Sequence, residues 1–302
     1  MKKTLITRRV AILAAASLSF LAACGGSSND SSKASDTTVA ASPGNGKKIL
    51  SLSPTATEML YAIGAGDQVV AVDSLSNYPT EAADKVTKIS AFEPNAEAIL
   101  GYSPDIVLIS NDMNKITEQL KTAKPDITVW TGAMANTIDD VYAQITDLGK
   151  VTGHDTEAAA LIAKMKTDLA AATEGVTAPE GASYYYELDN TYYSLTSNTF
   201  VGSLLKSTGI ANIADGVEAG NDWPQLNAES IIKANPSVVF LADTKCCQQN
   251  AAAVAKRAGW ADLDAVKNSR VVELDDDIAS RWGPRIVDLV KQMVEAIAAL
   301  QK

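Results

Sequence analysis

Glu97 and Glu229 stand at the same place in a passage that the chain spells twice. Asn95-Ala96-Glu97-Ala98-Ile99, followed by Pro104 and Val107, returns 132 residues later as Asn227-Ala228-Glu229-Ser230-Ile231, followed by Pro236 and Val239. Each copy predicts a short helix with Asn at its cap and the glutamate in its first turn, where a carboxylate favours the helix dipole. A proline then breaks the helix, and an apolar strand follows at 105–110 and at 237–242. Two copies so far apart imply two related lobes and not a solenoid. Each lobe offers one carboxylate at an equivalent place.

Cysteine supplies the second chemistry. Cys24 closes Leu21-Ala22-Ala23-Cys24-Gly25, which resembles a bacterial lipobox. Small residues before the cut let the chain enter a signal peptidase, and the sulfur after it takes the lipid. Lys2, Lys3, Arg8 and Arg9 form the positive head of a signal peptide over 1–23, and its apolar part, 10–23, is too short for a permanent span of about 20 residues. Arg8-Arg9 matches a twin-arginine export signal only in part. Residues 24–46 are Ser, Asp, Thr, Gly and Ala with almost nothing to bury, which predicts a flexible tether. The mature chain is therefore expected outside the cytoplasm, lipid-anchored through Cys24 to a bacterial cell membrane. Cys246 and Cys247 are then the remaining thiols, and they are adjacent. A vicinal disulfide and two reduced thiols are both open to them. Neighbouring α-carbons about 3.8 Å apart are close for a disulfide.

Catalytic chemistry finds little to work with. His154 is the only histidine, in Gly153-His154-Asp155, and reads as a solvated turn residue. There is no Gly-x-Ser-x-Gly elbow. Gly46-Lys47 lacks the Gly at 41 and the Ser or Thr at 48 that a phosphate loop needs. Asp275-Asp276-Asp277 reads as a solvated strand end, because the glutamate a calcium loop requires eleven residues on is Ile286. No catalytic or metal site is assigned. The net charge of -10 argues against nucleic acid as a partner.

These residues need a scaffold. Apolar runs predict strands at 49–53, 69–72, 86–90, 105–110, 127–130, 184–188, 237–242 and 270–274. Helical spacing predicts helices at 55–62, 113–123, 155–174, 200–207, 251–258 and 284–300, besides the two repeated ones. Such alternation argues for mostly parallel sheets covered by helices. The 155–174 helix has Asp155 to cap it, the stripe Leu161, Ile162, Met165 and Leu169, and Gly175 to end it. At 1.5 Å per residue it is a rod of roughly 30 Å, lying between the repeat copies. The organisation expected is an N-terminal α/β lobe at 47–152, a connecting helix at 153–176 and a C-terminal α/β lobe at 177–302. Trp130, in a strand, and Trp260, in a turn, are expected to pack. Trp223, in the polar stretch Asn221-Asp222-Trp223-Pro224-Gln225, is not needed for a core.

Ser51-Leu52-Ser53-Pro54-Thr55-Ala56-Thr57-Glu58, Asn77-Tyr78-Pro79, the two Asn-Ala-Glu helices, Trp223-Pro224-Gln225 and Pro284-Arg285 follow one another in that order. Together they resemble the substrate-binding proteins of ABC importers for ferric siderophores, haem and vitamin B12, the vitamin B12 binders before the others. The resemblance runs from Lys48 to Lys302. It implies two α/β lobes joined by a single long helix, class III periplasmic-binding-protein-like, with the ligand in the cleft between them and only small opening motions. It implies an extracytoplasmic monomer that captures a metal chelate and delivers it to an ABC permease and its ATPase subunits. Cobalamin or another corrinoid stands slightly ahead of a ferric siderophore, with haem behind because histidine is scarce. No cofactor is expected beyond the transported cobalt or iron chelate, and the membrane is touched only through the N-terminal lipid. By motif position Glu97 and Glu229 would meet arginines of the permease. Trp223, Tyr78, Phe92, Arg281 and Trp282 would line the ligand site, where flat aromatics suit a macrocycle and arginine suits carboxylate or phosphate. Cys246-Cys247 is not part of the family pattern. The reading from another class is a secreted enzyme or scaffold that kept the two-lobed fold.

Overall fold

A computed structural model describes residues 45–301, so the signal peptide, Cys24 and most of the tether lie outside the described residues. The first lobe runs β1 (Ile49–Leu52), α1 (Pro54–Ala62), β2 (Val69–Val72), α2 (Thr80–Ala83), α3 (Ala96–Leu100), β3 (Ile106–Ile109), α4 (Ile116–Ala123) and β4 (Thr128–Thr131). Two long helices follow, α5 (Ile138–Thr152) and α6 (Asp155–Thr173). The second lobe runs β5 (Ser183–Glu187), α7 (Phe200–Leu205), β6 (Ala211–Asn212), α8 (Ala228–Ala234), β7 (Val238–Leu241), α9 (Ala251–Ala255), α10 (Asp264–Lys267), β8 (Val271–Glu273), α11 (Asp276–Ala279) and α12 (Ile286–Ala298).

The two sheets have the same plan. Their orders are β2-β1-β3-β4 and β6-β5-β7-β8, with every named pair parallel. β1, β3 and β7 are buried along their whole length, which is what an apolar run without polar alternation demands of a central parallel strand. β3 and β7 begin 132 residues apart, at Ile106 and Val238, so the sequence repeat is a repeat of structure.

Two predictions about elements change, and one element was missed. The strand expected at 86–90 is only a bridge between Val86 and Val72. Thr87 Oγ1 donates to Val72 O at 2.8 Å and accepts from Ile89 N at 3.1 Å, so a side chain replaces the ladder there. The last helix begins at Ile286, because Pro284 and Arg285 belong to the turn before it. α5 was not predicted, although Ile138, Val141, Tyr142, Ile145 and Leu148 make a helical stripe. Thr137 and Asp140 form its capping box: Asp140 N donates to Thr137 Oγ1 at 3.2 Å, and Thr137 N donates back to Asp140 Oδ2 at 2.9 Å.

α5 and α6 form a tight helical hairpin. Gly153 sits at φ 80°, and a Cβ on Gly149 would come within 2.7 Å of the Ala158 Cβ, so the crossing needs glycine at both places. This hairpin also corrects the reading of His154, which is 2% exposed and not solvated. It is the residue before the first turn of α6, so the cap expected of Asp155 is not made. Its Nδ1 lies 3.2 Å from both Thr152 O and Thr152 Oγ1, and 3.4 Å from Gln68 Nε2.

Three apolar clusters fill the fold. One backs the outer face of the first sheet and another, around Trp260 and Tyr185, backs the outer face of the second. The third is continuous from Ile106 and Leu108 through α5, α6 and α12 to Tyr184, Tyr186 and Phe240. The inner faces of both sheets therefore share one core. A wide hinge swing would have to shear close-packed side chains, so small motions are what this architecture permits. Trp130 packs on that shared core, and Trp260 is fully buried.

Candidate ligand cleft

Ligands of parallel α/β sheets collect beyond the carboxyl ends of the strands. Here Leu188 follows β5, Ala242 follows β7, and Met134 to Asn136 follow β4 of the other lobe. These residues, with Phe200, Trp223, the end of α11 at Ala279 and the turn after it to Trp282, enclose a cavity of about 370 Å³ between the lobes. That lies at the lower end of small-molecule sites, roughly 300–1,000 Å³, and its walls are mostly apolar.

Trp223 is 43% exposed, yet its backbone is fixed. Tyr193 and Gln225 form an antiparallel bridge. Around it Thr196 N donates to Asp222 O, Ser194 N to Pro224 O and Leu226 N to Tyr192 O, each at 3.0 Å. Asp222 Oδ1 accepts from Thr196 Oγ1 at 2.6 Å and from Asn198 Nδ2 at 3.3 Å. The ring is thus an exposed aromatic on a rigid mount. Trp282 is half-buried and lines the same cavity, and its Nε1 donates to Gln144 Oε1 at 3.2 Å, which sets the plane of its indole.

Arg281 lines the same cavity, but its guanidinium is already engaged. Nη1 donates to Glu58 Oε1 and to Asn77 Oδ1 at 2.9 Å each, and Nη2 donates to Asp277 Oδ1 at 3.0 Å and Leu75 O at 3.1 Å. Glu58, Leu75 and Asn77 belong to the first lobe, so Arg281 ties the lobes together more than it offers a free charge. The Asp275-Asp276-Asp277 run is likewise half-buried and bonded, which corrects its reading as a solvated strand end. Tyr78 does not reach this cavity. Its ring lies 4.0 Å from the Arg285 guanidinium and lines a separate, larger hollow of about 680 Å³ with Tyr61, Glu81 and Pro284. That hollow is built on α1 and the 64–85 segment and meets no strand end of the second sheet, so volume alone does not make it the ligand site. Phe92 is 65% exposed and lines neither cavity. The reading from sequence missed Phe200, Met134 and Leu188 as cleft residues; the strand-end rule could have found Leu188, which ends the strand predicted at 184–188, and Met134, which follows the one predicted at 127–130.

Glu97 and Glu229 each take the second helical position, in α3 and α8, and both are exposed. Asn95 Oδ1 accepts from Ala98 N, and Asn227 Oδ1 from Ser230 N, at 2.9 Å each. Cys246 and Cys247 are free thiols with sulfurs 2.6 Å apart, beyond the bonded distance of about 2.05 Å.

One buried charge cluster stands behind the second sheet. Glu187 and Arg257 form a two-pronged pair, both bonds at 2.6 Å, and Asp243 is buried beside them. The oxygens of Asp243 find no donor among the described residues. Burial first, then the charge of Glu187 and a hydrogen bond to it, push the Asp243 carboxyl up to about 7.

The comparisons with known proteins agree with this geometry. An uncharacterised ABC transporter substrate-binding lipoprotein of Bacillus subtilis, YvrC, is 34% identical over 89% of this chain and 84% of its own length. A cobalamin-binding protein of Halobacterium salinarum is 30% identical over 83% of this chain and 69% of its own. The crystal structure of the vitamin B12-binding protein BtuF of Vibrio cholerae superposes with a TM-score of 0.67 at 26% identity, covering 86% of this chain and 99% of that one. All three are binding proteins by name, and none is an enzyme. No helix among the described residues is long and apolar enough to cross a membrane. The periplasmic binding protein family matches residues 49–278, and the chain belongs to that family.

Proposed function

We propose that this chain is an extracytoplasmic receptor, lipid-anchored through Cys24, that captures a corrinoid such as cobalamin and delivers it to an ABC permease. The observation that carries the ligand class is the state of Arg281. Among the described residues it is the only Lys or Arg on the wall of the cleft, and Glu58 and Asp277 already balance it. A ferric siderophore with several negative charges, or a haem with two carboxylates, would enter a cleft with no uncommitted cation. Among the described residues the wall also holds no histidine or tyrosine to ligate haem iron. A neutral, amide-rimmed macrocycle suits the apolar faces of Trp223, Trp282 and Phe200 and the amides of Asn136 and Asn198. A corrinoid is larger than the cavity, so part of it would stand outside in solvent.

Delivery rests on Glu97 and Glu229. One exposed ion pair is worth only about 0–1 kcal/mol, so the two set docking register and encounter rate more than affinity. The working unit is a monomer that meets the permease, with the ATPase subunits beyond it. Titration of tryptophan fluorescence with cyanocobalamin, cobinamide, haemin and a tricatecholate ferric siderophore tests the reading. Saturable quenching by the corrinoids is expected. Saturation by haemin or the siderophore alone would overturn the ligand class, and turnover of any substrate would overturn the receptor.

A further inference from the structure

The loop from Asp243 to Gln249, after β7, carries the cysteine pair and is bonded to the cleft wall at one remove. Asp276 accepts three successive backbone N–H groups from it, Thr244 at 2.8 Å and Lys245 and Cys246 at 2.9 Å, with Thr244 Oγ1 at 2.7 Å. Lys245 Nζ donates to Asp275 and Asp277 at 2.8 Å each. Asp277 accepts from Asn77 Nδ2 at 3.1 Å and from Arg281 at 3.0 Å, and Arg281 continues to Glu58. A continuous run of charge-assisted bonds thus joins the Cys246 N–H to the arginine of the cleft and to the first lobe. At the outer end Cys246 is exposed and Cys247 half-buried. Their sulfurs are neighbours, 2.6 Å apart. Gln248 beside them holds φ 56°, a left-handed backbone that costs about 1 kcal/mol or more outside glycine.

We propose that Cys246–Cys247 is a thiol–disulfide exchange site for small-molecule or protein disulfides, and that its oxidation loosens the Asp276 clamp and alters the grip of Arg281 on the cleft. The exchange balances. One cysteine thiolate attacks a sulfur of the incoming disulfide and expels one thiolate, leaving a mixed disulfide. The second cysteine attacks the protein sulfur of that bond, forms the Cys246–Cys247 bond and expels the other thiolate. The two cysteine protons end on the two expelled groups, so the pair loses two electrons and the incoming disulfide gains them. Adjacent α-carbons lie about 3.8 Å apart, below the usual 4.4–6.8 Å of a disulfide, so the backbone between them must adjust. That ring contains the Cys246–Cys247 peptide, whose N–H donates to Asp243 O at 3.2 Å, and the Cys246 N–H is attached to it at the Cys246 α-carbon, which makes its bond to Asp276 the nearest of the clamp to yield. Partial desolvation, the hydrogen bond and charge of Cys247, and the carboxylates of Asp276 and Asp243 push the Cys246 thiol up to about 12. Attack by the Cys246 sulfur is therefore slow near neutrality.

The full chain, equilibrated across mixtures of reduced and oxidised glutathione, tests this in three ways. Peptide mapping with thiol trapping should show the 246–247 peptide losing both thiols together, with two hydrogen masses gone and no lasting adduct. Two free thiols across the whole range, or a stable glutathione adduct, would overturn the site. Amide hydrogen exchange without ligand should quicken about fivefold or more on oxidation at Thr244 to Cys246 and across 276–282, and should not change in C246S/C247S. Unaltered exchange in the oxidised chain would overturn the link. The last readout, cyanocobalamin affinity, rests on the corrinoid reading and should differ about threefold or more between the two states. Equal affinities would overturn the effect on the cleft. Failure of both states to bind cyanocobalamin would count against the corrinoid, while the thiol and exchange results judge the switch alone.

Discussion

Replacing Glu58 with Ala should cost about 3 kcal/mol of stability, because one carboxylate serves two arginines across the lobe junction. Glu58 is 3% exposed on α1. Its Oε1 accepts from Arg281 Nη1 at 2.9 Å, its Oε2 accepts from Arg285 Nε at 2.8 Å, and Arg285 Nη2 also donates to Oε1. Truncation leaves Arg281 with Asn77, Asp277 and the Leu75 carbonyl, so its charge stays balanced. Arg285 keeps the face of Tyr78 and the charge of Asp275, and its side chain is 16% exposed. Breaking a buried pair from one side costs roughly 3–5 kcal/mol, and the partial exposure of Arg285 places this case at the lower end. With an m-value of about 3 kcal/mol/M in urea, the midpoint should fall by about 1 M at unchanged slope. Glu58→Gln keeps an acceptor and should lose about half as much. Removing Arg285 as well should recover part of the loss, because the uncompensated charge goes with it. As a control, Asp168→Ala, which breaks the solvent-screened pair Lys164–Asp168, should leave the urea midpoint nearly unmoved. A Glu58→Ala loss no larger than that control, or a double variant worse than the sum of its parts, would refute the argument.

Trp223→Ala should weaken cyanocobalamin binding about 10- to 100-fold by equilibrium titration, with the urea midpoint unmoved, since a half-exposed ring on a fixed backbone contributes little to folding. The double variant E97A/E229A should impair uptake in cells while leaving the affinity of the purified protein unchanged; a collapse of affinity would remove the docking role. Asn227→Ala and Asn95→Ala should each lower stability by about 1 kcal/mol, because each removes the acceptor that caps its helix. Asp243→Asn should alter the pH profile of stability. The folded carboxyl is raised to about 7, whereas unfolding returns it to the ordinary range near 3.8, so unfolding releases a proton between those values. Stability from this group is therefore full below about pH 4, falls as pH rises to about 7 and is level above. Urea midpoints at pH 5, 6, 7 and 8 should show the variant gaining on the wild type as pH rises; parallel profiles would mean that Asp243 is charged throughout. Glu187, Arg257 and Asp276 act on Asp243 in both proteins, so the difference isolates one carboxyl.

Much of this architecture was legible because its signals are local. Uninterrupted apolar runs marked β1, β3 and β7, and Asn followed by Ala-Glu marked two helix starts whose 132-residue offset carried through to the strands behind them. α5 was equally legible through its stripe and capping box and was missed. His154 misled because a Gly-His-Asp string looks like an exposed turn, whereas the close crossing of α5 on α6 buries it. Arg281 misled for a similar reason: the chain order shows a charge near a cleft and not the partners that neutralise it.

Local patterning determined the order of elements, the twofold plan and the place of Glu97 and Glu229, since periodicity and capping depend on residues a few positions apart. Tertiary structure alone decided which charges meet. Glu58 lies 223 residues from Arg281 and 227 from Arg285, and Glu187 lies 70 from Arg257. Coulomb energy and desolvation follow distance and burial in space, and neither is written in the spacing of the chain.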